Sequence, residues 1–263
     1  MTSSSQRSSQ EQFGRLATRY TTSTAHSGKN NLVDLNDFVG TEGERYHVAV
    51  DVGTGPGFTA FSIAPHCDHV IATDVTPQML EEVRRLRHDR GAPDTQMALV
   101  AAEAMPFADA SIDLITSRTA AHHFIDLPSW LREVARVLRP GGVLVVGDTC
   151  APEDQAIAEW MHGIEMARDA SHIRNLAPSE WQAAVEAIGL DVTEVAMSYV
   201  LLQWPDWAER AGMNEKASAA LRDEMLSAPT GAQDAFAFVK NNEGTVDFHW
   251  DVVVIRAVKP GGG

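Results

Sequence analysis

The residues with the clearest chemical pattern are Asp51, Gly53, Gly55 and Gly57, in the run Val50-Asp-Val-Gly-Thr-Gly-Pro-Gly57. A short apolar segment ends in a carboxylate, and three alternating glycines follow. That predicts a buried strand entering a side-chain-poor loop, where a ligand lies against bare backbone. A dinucleotide fingerprint would put its third glycine at 58, which is Phe58. A carboxylate just ahead of the loop opposes a pyrophosphate and suits a cation. A second acid, Asp74, ends the next apolar segment, at the distance where a carboxylate takes ribose hydroxyls. A nucleoside that carries positive charge and no phosphate answers both acids. S-adenosylmethionine, with its ammonium and sulfonium, is such a ligand.

Transfer of a methyl group from a sulfonium asks the protein to position a nucleophile, exclude water and, where needed, remove a proton. His122 and His123 are the candidate bases, because imidazole titrates near neutral pH and the pair follows a predicted strand by a few residues. The alternative is structural packing. Neighbouring side chains in a helix or turn diverge, so at most one of the two is expected to face the site. The sequence has no zinc-ligand spacing and no Gly-x-Ser-x-Gly elbow, so no metal is expected and those hydrolase classes drop out.

Alternating elements must hold these residues. Strands are predicted at 48–52, 70–73, 96–101, 112–116, 143–146, 190–200 and 247–257. Helices are predicted at about 58–64, 77–90, 128–138, 153–169, 178–188 and 204–226, the last interrupted at Gly212. Arg139-Pro-Gly-Gly142 is expected to close the 128–138 helix. This pattern predicts a Rossmann-like α/β fold: a seven-stranded, mostly parallel sheet with an antiparallel last strand and helices on both faces. Residues 1–10 are expected to be a disordered tail and 11–45 a helical flap. Residues 46–259 would be the main domain, with cap insertions at about 152–178 and 201–243. The cap is inferred from Trp160, Met161, Met166, His172, Arg174, Trp204, Trp207, Phe236 and Phe238. Trp160, His172, Arg174 and Trp204 are its candidate substrate contacts, suited to an aromatic or amphipathic small molecule. Core packing is the competing explanation for the aromatic members.

The 263-residue chain has a net charge of -15 and 44% hydrophobic residues. An acidic surface repels nucleic-acid backbones and anionic membranes. Cys67 and Cys150 form no disulfide framework, which fits a cytoplasmic location. No apolar run is long enough to span a bilayer. The cap segment is a candidate for homodimer contacts.

From about Phe13 to Ala151 the chain resembles the class I S-adenosylmethionine-dependent methyltransferases, most closely the ubiquinone/menaquinone-type group. The matching residues are the glycine run, Ala72-Thr-Asp-Val-Thr-Pro-Gln-Met-Leu80, Ala102-Glu-Ala-Met-Pro-Phe107, Ser111-Ile-Asp-Leu-Ile115 and Leu131-Arg-Glu-Val-Ala-Arg-Val-Leu-Arg-Pro-Gly-Gly-Val143. Ser117-Arg-Thr-Ala-Ala-His-His-Phe124 is close to a subset of related small-molecule methyltransferases. The resemblance implies a small-molecule methyl acceptor, methylated on O, C or N. It also implies a cofactor site. Asp51, Gly53, Thr54, Gly55 and Gly57 would surround the methionine moiety, Asp74 and Val75 the ribose, and Met79, Ala102 and Glu103 the adenine. Ser117 and Arg118 would lie near the methionine end, and Tyr20 and His26 would close over the cofactor. Many members carry Asp before the Ala-Glu pair, where this chain has Ala101. The runner-up expectation is a protein of the same fold that binds the cofactor in a non-methylating role.

Overall fold

A computed structural model describes residues 10–11, 13–14, 17, 35–40, 45–242 and 244–261. Helix α1 is Leu35–Val39, and strand β1 is Tyr46–Val52. Then come α2 (Phe58–Ile63), β2 (Cys67–Asp74), α3 (Pro77–Leu86), β3 (Gln96–Leu99) and β4 (Ile112–Arg118). A 3₁₀ turn, Ala121–His123, leads into α4 (Leu127–Val137) and β5 (Leu138–Thr149). Beyond it lie α5 (Gln155–Arg168), α6 (Pro178–Ala187), β6 (Asp191–Gln203), α7 (Trp204–Arg210), α8 (Glu215–Leu226), α9 (Thr230–Ala235), β7 (Val239–Lys240) and β8 (Val246–Val258).

The sheet order is β3-β2-β1-β4-β5-β8-β6, with β7 paired to β8. Strands β1 to β5 run parallel, while β8 is antiparallel to β5, β6 and β7. The seven expected strands are all present, and the two-residue β7 is an eighth. Period-two alternation sends side chains to two cores. Ala49, Leu114, Val143, Val145, Val252 and Val254 face one, against α2, α5 and α7 to α9. Val50, Val52, Ile115, Leu144, Val146, Val253 and Ile255 face the other, against Trp130 of α4 and Trp181 of α6.

Helix α4 ends at Val137, just before Arg139-Pro-Gly-Gly142 as expected, but that run is not a loop. It forms the start of β5, because the Gly141 N–H donates to Lys259 O at 2.8 Å and draws the segment into the sheet. The expected 204–226 helix is broken into α7 and α8 by Gly212, at φ +69°, and Asn214, whose side chain caps α8 by accepting from Ala217 N. The expected helix 77–90 ends regular α geometry at Leu86 and continues as turns to Gly91. The tail at 1–9 and most of the expected flap, including Tyr20 and His26, lie outside the described residues.

The parallel strands all end at one edge of the sheet. There the connections leave β1 and β4 toward opposite sides, which opens a crevice of the kind that binds ligands in α/β sheets.

Candidate active site

A cavity of about 190 Å³ occupies this crevice. Its floor is the loop after β1. Gly53, Gly55 and Gly57 have φ values of +67°, +53° and +95°, a region that L-residues with a Cβ visit at a cost. A Cβ on Gly53 would stand 2.7 Å from Ala120 Cβ, so the loop and the turn carrying His122 touch across a gap that only hydrogen fills. Gly53, Thr54 and Gly55 line the cavity, and Gly57 lies beneath it against Phe61.

Asp51 is buried below that floor. Its Oδ2 accepts from Thr54 Oγ1 at 2.6 Å and its Oδ1 from Thr116 Oγ1 at 2.7 Å. Burial pushes its carboxyl up to about 6, although both hydroxyls and the nearby Arg118 work against the rise. Asp74, at the end of β2, accepts from Gly55 N at 2.9 Å and from Thr76 N at 2.8 Å, and it lines the cavity. Burial raises its carboxyl too, with those backbone donors opposing. Each acid therefore ties the glycine loop to its strand, Asp51 through Thr54 and Asp74 through Gly55.

Val75, Met79, Ala102 and Glu103 line the neighbouring wall. Met79 packs with Phe13 and Ala17 of the N-terminal segment, and Gln10 Nε2 donates to Val75 O at 2.8 Å. Glu103 Oε1 accepts from Ile125 N at 2.9 Å, which joins this wall to the histidine turn. Arg118 lines the cavity and donates from Nε to Thr59 Oγ1 at 3.0 Å. Ser117 is fully buried and does not reach the cavity.

Both histidines line the cavity, not one of the two. The 3₁₀ turn brings their ring centroids to 4.1 Å, so the side chains do not diverge as in an α-helix. His122 Nδ1 lies 2.7 Å from Asp148 Oδ1, and Asp148 Oδ2 accepts from the His122 backbone N–H at 2.8 Å. An ionised carboxylate only accepts, so Nδ1 carries the proton, and in the neutral ring Nε2 keeps its lone pair. Burial alone would lower the His122 pKa. Asp148, followed by Glu165 and Asp169, outweighs it, and the net shift is upward. His123 Nδ1 lies 3.1 Å from Ser171 O, so it too is the donor there. Burial, with His122 beside it, pushes His123 down to about 4.

The rest of the cavity is built by the second half of the chain. Val200, Leu202, Trp207, Trp250 and Val252 form an apolar wall, and Glu165, Arg168, Asp169, Asn175 and Arg210 supply polar groups. Of the sequence-predicted contacts, Trp160 stacks on Phe236 at 6.0 Å and Trp204 packs in the core beside Trp207. Neither lines the cavity. Arg174 is exposed and pairs with Glu180 at 2.6 Å. His172 is buried behind His122, with ring centroids 5.7 Å apart, and neither ring nitrogen has a hydrogen-bond partner. Asp148, Glu165, Arg168 and Asp169 were not singled out in the sequence. Asp148 carried a usable signal, since it ends a buried apolar run just as Asp51 and Asp74 do.

Residues 50–146 match a family described as a methyltransferase domain. The chain is 32% identical to the YcgJ methyltransferase of Bacillus subtilis, over 81% of this chain and 85% of that one. The crystal structure of YcgJ superposes with a TM-score of 0.80 over 87% of this chain and 98% of that one. The chain belongs to the class I S-adenosylmethionine-dependent methyltransferases. The YafE protein of Escherichia coli is also 32% identical, over 79% of this chain and 98% of that one. The BH2331 structure from Bacillus halodurans, at 30% identity, gives a TM-score of 0.81 over 86% of this methyltransferase and 99% of that chain. These matches do not single out the ubiquinone/menaquinone-type group. Among the described residues of the methyltransferase, no three His, Cys, Asp or Glu side chains are placed to hold a metal ion, and no helix is long and apolar enough to cross a membrane.

Proposed function

We propose that this methyltransferase acts on a small-molecule acceptor, with His122 as the general base and Asp148 as its positioning partner. The His122–Asp148 pair on the cavity wall is the observation that carries the proposal. Asp148 holds the imidazole through two contacts, one to the ring and one to the backbone, so Nε2 keeps its lone pair in a fixed orientation. His123 stays neutral through the physiological range but is a weaker base than His122.

The residues fit the cofactor. The floor at Gly53 has no room for a side chain, so the chain presents bare backbone to the methionine portion. Asp74 and Glu103 carry carboxylate lone pairs suited to ribose hydroxyls and to an adenine amino group. Val75, Met79 and Ala102 offer apolar surface to the base, and Arg118 offers positive charge to a carboxylate. Asp51 adds negative charge beneath the floor. When bound, S-adenosylmethionine supplies an electrophilic methyl group on a positively charged sulfur. The chain's task is then to hold the acceptor in line, keep water out with the wall of Val200, Leu202, Trp207 and Trp250, and take a proton at His122 Nε2.

The test is S-adenosylhomocysteine formation across a panel of hydroxyl, amine and activated-carbon acceptors, with cofactor affinity measured alongside. His122→Asn should lower turnover by about 10²-fold or more with cofactor affinity unchanged, and His123→Asn should cost less. Full turnover in both variants sinks the assignment. Tight cofactor binding with no methyl transfer to any acceptor would favour a non-methylating role.

A further inference from the structure

The acceptor end of the cavity holds several buried charges, and all but one are paired. Arg168 Nη1 lies 3.3 Å from Glu165 Oε2, and Glu165 Oε1 accepts from Trp250 Nε1. The Arg168 guanidinium also donates to Trp207 O at 3.1 Å and stacks over the Trp207 ring at 4.7 Å. Arg210 pairs with Asp206 at 2.9 Å. Asp148 pairs with His122 at 2.7 Å.

Asp169 is left over. It is 2% exposed and lines the cavity. Its Oδ1 accepts from Ser171 N at 2.8 Å and from Ser171 Oγ at 2.6 Å. These bonds fix the carboxylate, and no group among the described residues bonds Oδ2. Burial alone would raise its carboxyl, but the charges of His123 and Arg168 and the Ser171 bonds hold it below the usual carboxylate range, so Oδ2 offers an ionised oxygen that a cationic ligand can pair. The three apolar residues Trp207, Trp250 and Val252 line the same cavity.

We infer that the acceptor is an amphipathic amine, its ammonium group held by Asp169 Oδ2 and its apolar body laid on Trp207 and Trp250. This rests on the reading of the cavity as a cofactor-plus-acceptor site. Asp169 makes the protein selective for a cation and against an anion of the same shape. Arg168 does not compete for an anion, since Glu165 already neutralises it. The net charge of -15 adds long-range attraction of the same sign.

Isothermal titration in the presence of saturating S-adenosylhomocysteine separates the possibilities, with three probes that share one body: tyramine, 4-ethylphenol and 3-(4-hydroxyphenyl)propanoate. Tyramine should bind about 10-fold or more tighter than the propanoate, with 4-ethylphenol between them. Asp169→Asn keeps an oxygen for the two Ser171 donors. It should reduce the tyramine preference to within about 2-fold and leave S-adenosylhomocysteine affinity unchanged. Equal or tighter binding of the propanoate, no binding of any probe, or a preference that survives Asp169→Asn overturns the inference. Failure of S-adenosylhomocysteine itself to bind overturns the underlying reading of the cavity instead.

Discussion

Replacing Gly53 by alanine should damage the protein more than the same change at Gly55, although the two glycines share one loop. Both have positive φ, so each alanine pays roughly 1–2 kcal/mol of left-handed strain. At Gly55 that is nearly the whole cost, because nothing lies within 4 Å of the new Cβ. At Gly53 the Cβ would sit 2.7 Å from Ala120 Cβ and 3.4 Å from the Phe124 ring. Carbon atoms pack at about 3.5–4.0 Å, so the 120–124 segment must retreat by about 1 Å. Overpacking of this kind costs about 1–3 kcal/mol more, giving roughly 2–5 kcal/mol in total. For a chain of this size that corresponds to a melting temperature lower by about 4–20 °C, against about 2–8 °C for Gly55→Ala. The retreating segment carries His122, so Gly53→Ala should also lower kcat. Gly55→Ala, whose methyl enters the cavity, should mainly weaken cofactor binding. Differential scanning fluorimetry and titration calorimetry on both variants measure this. Melting temperatures within about 2 °C of each other would refute the argument from the Ala120 contact.

Asp51 gives a pH-dependent prediction. Its folded carboxyl is raised from 3.8 to about 6, above the unfolded value, so the folded chain holds that proton more tightly. The resulting penalty is absent below about pH 4, grows between about 4 and 6, and is complete above 6 at up to about 3 kcal/mol. Asp51→Asn should therefore stabilise the protein by about 1–3 kcal/mol at pH 8, with the gain gone at pH 4, as urea denaturation at the two pH values would reveal. The same variant should lose more affinity for S-adenosylmethionine than for S-adenosylhomocysteine, which lacks the sulfonium charge. Asp148→Asn removes the charge that raises the His122 pKa, so the acidic limb of the kcat/KM profile should move to lower pH and the plateau should fall about 10²-fold. An unmoved limb would separate Asp148 from the base. Arg174→Ala, at an exposed pair, should change stability by less than about 0.5 kcal/mol and leave acceptor KM unaltered.

The half of the site proposed for the cofactor was legible in the sequence because its signals are local. A buried strand, an acid at its end and glycines at alternate positions all lie within ten residues, and no distant partner is needed to interpret them. The acceptor half depends on tertiary packing. Trp160 and Trp207 both read as aromatic cap residues, yet Trp160 turns to Phe236 while Trp207 reaches the cavity and takes the Arg168 guanidinium on its face. Helical spacing does not separate them, because the cavity and the core lie on adjoining sides of the cap. Glu165 and Arg168 share the α5 face of Met161 and Ile164 at i+3 and i+4 spacing. That face reads as core until β8 places Trp250 against Glu165. The short α9 and β7 had no periodic run long enough to register.

The three acids at the strand ends divide the labour by what consumes their oxygens. Asp51 is spent on two hydroxyls below the floor, Asp74 on two backbone N–H groups of the cofactor wall, and Asp148 on the ring and backbone of His122. Each is anchored on a parallel strand, and each fixes a segment that lacks regular structure of its own. The glycine loop and the histidine turn are thus held from the same rigid edge, and they meet at the Gly53–Ala120 contact. A small displacement of either segment moves the proposed cofactor cradle relative to the proposed base. Substitutions at Asp51, Asp74 or Asp148 should therefore act on turnover through geometry as well as charge, whereas the Asp169 carboxylate, bonded to Ser171 beyond α5, should chiefly alter acceptor choice.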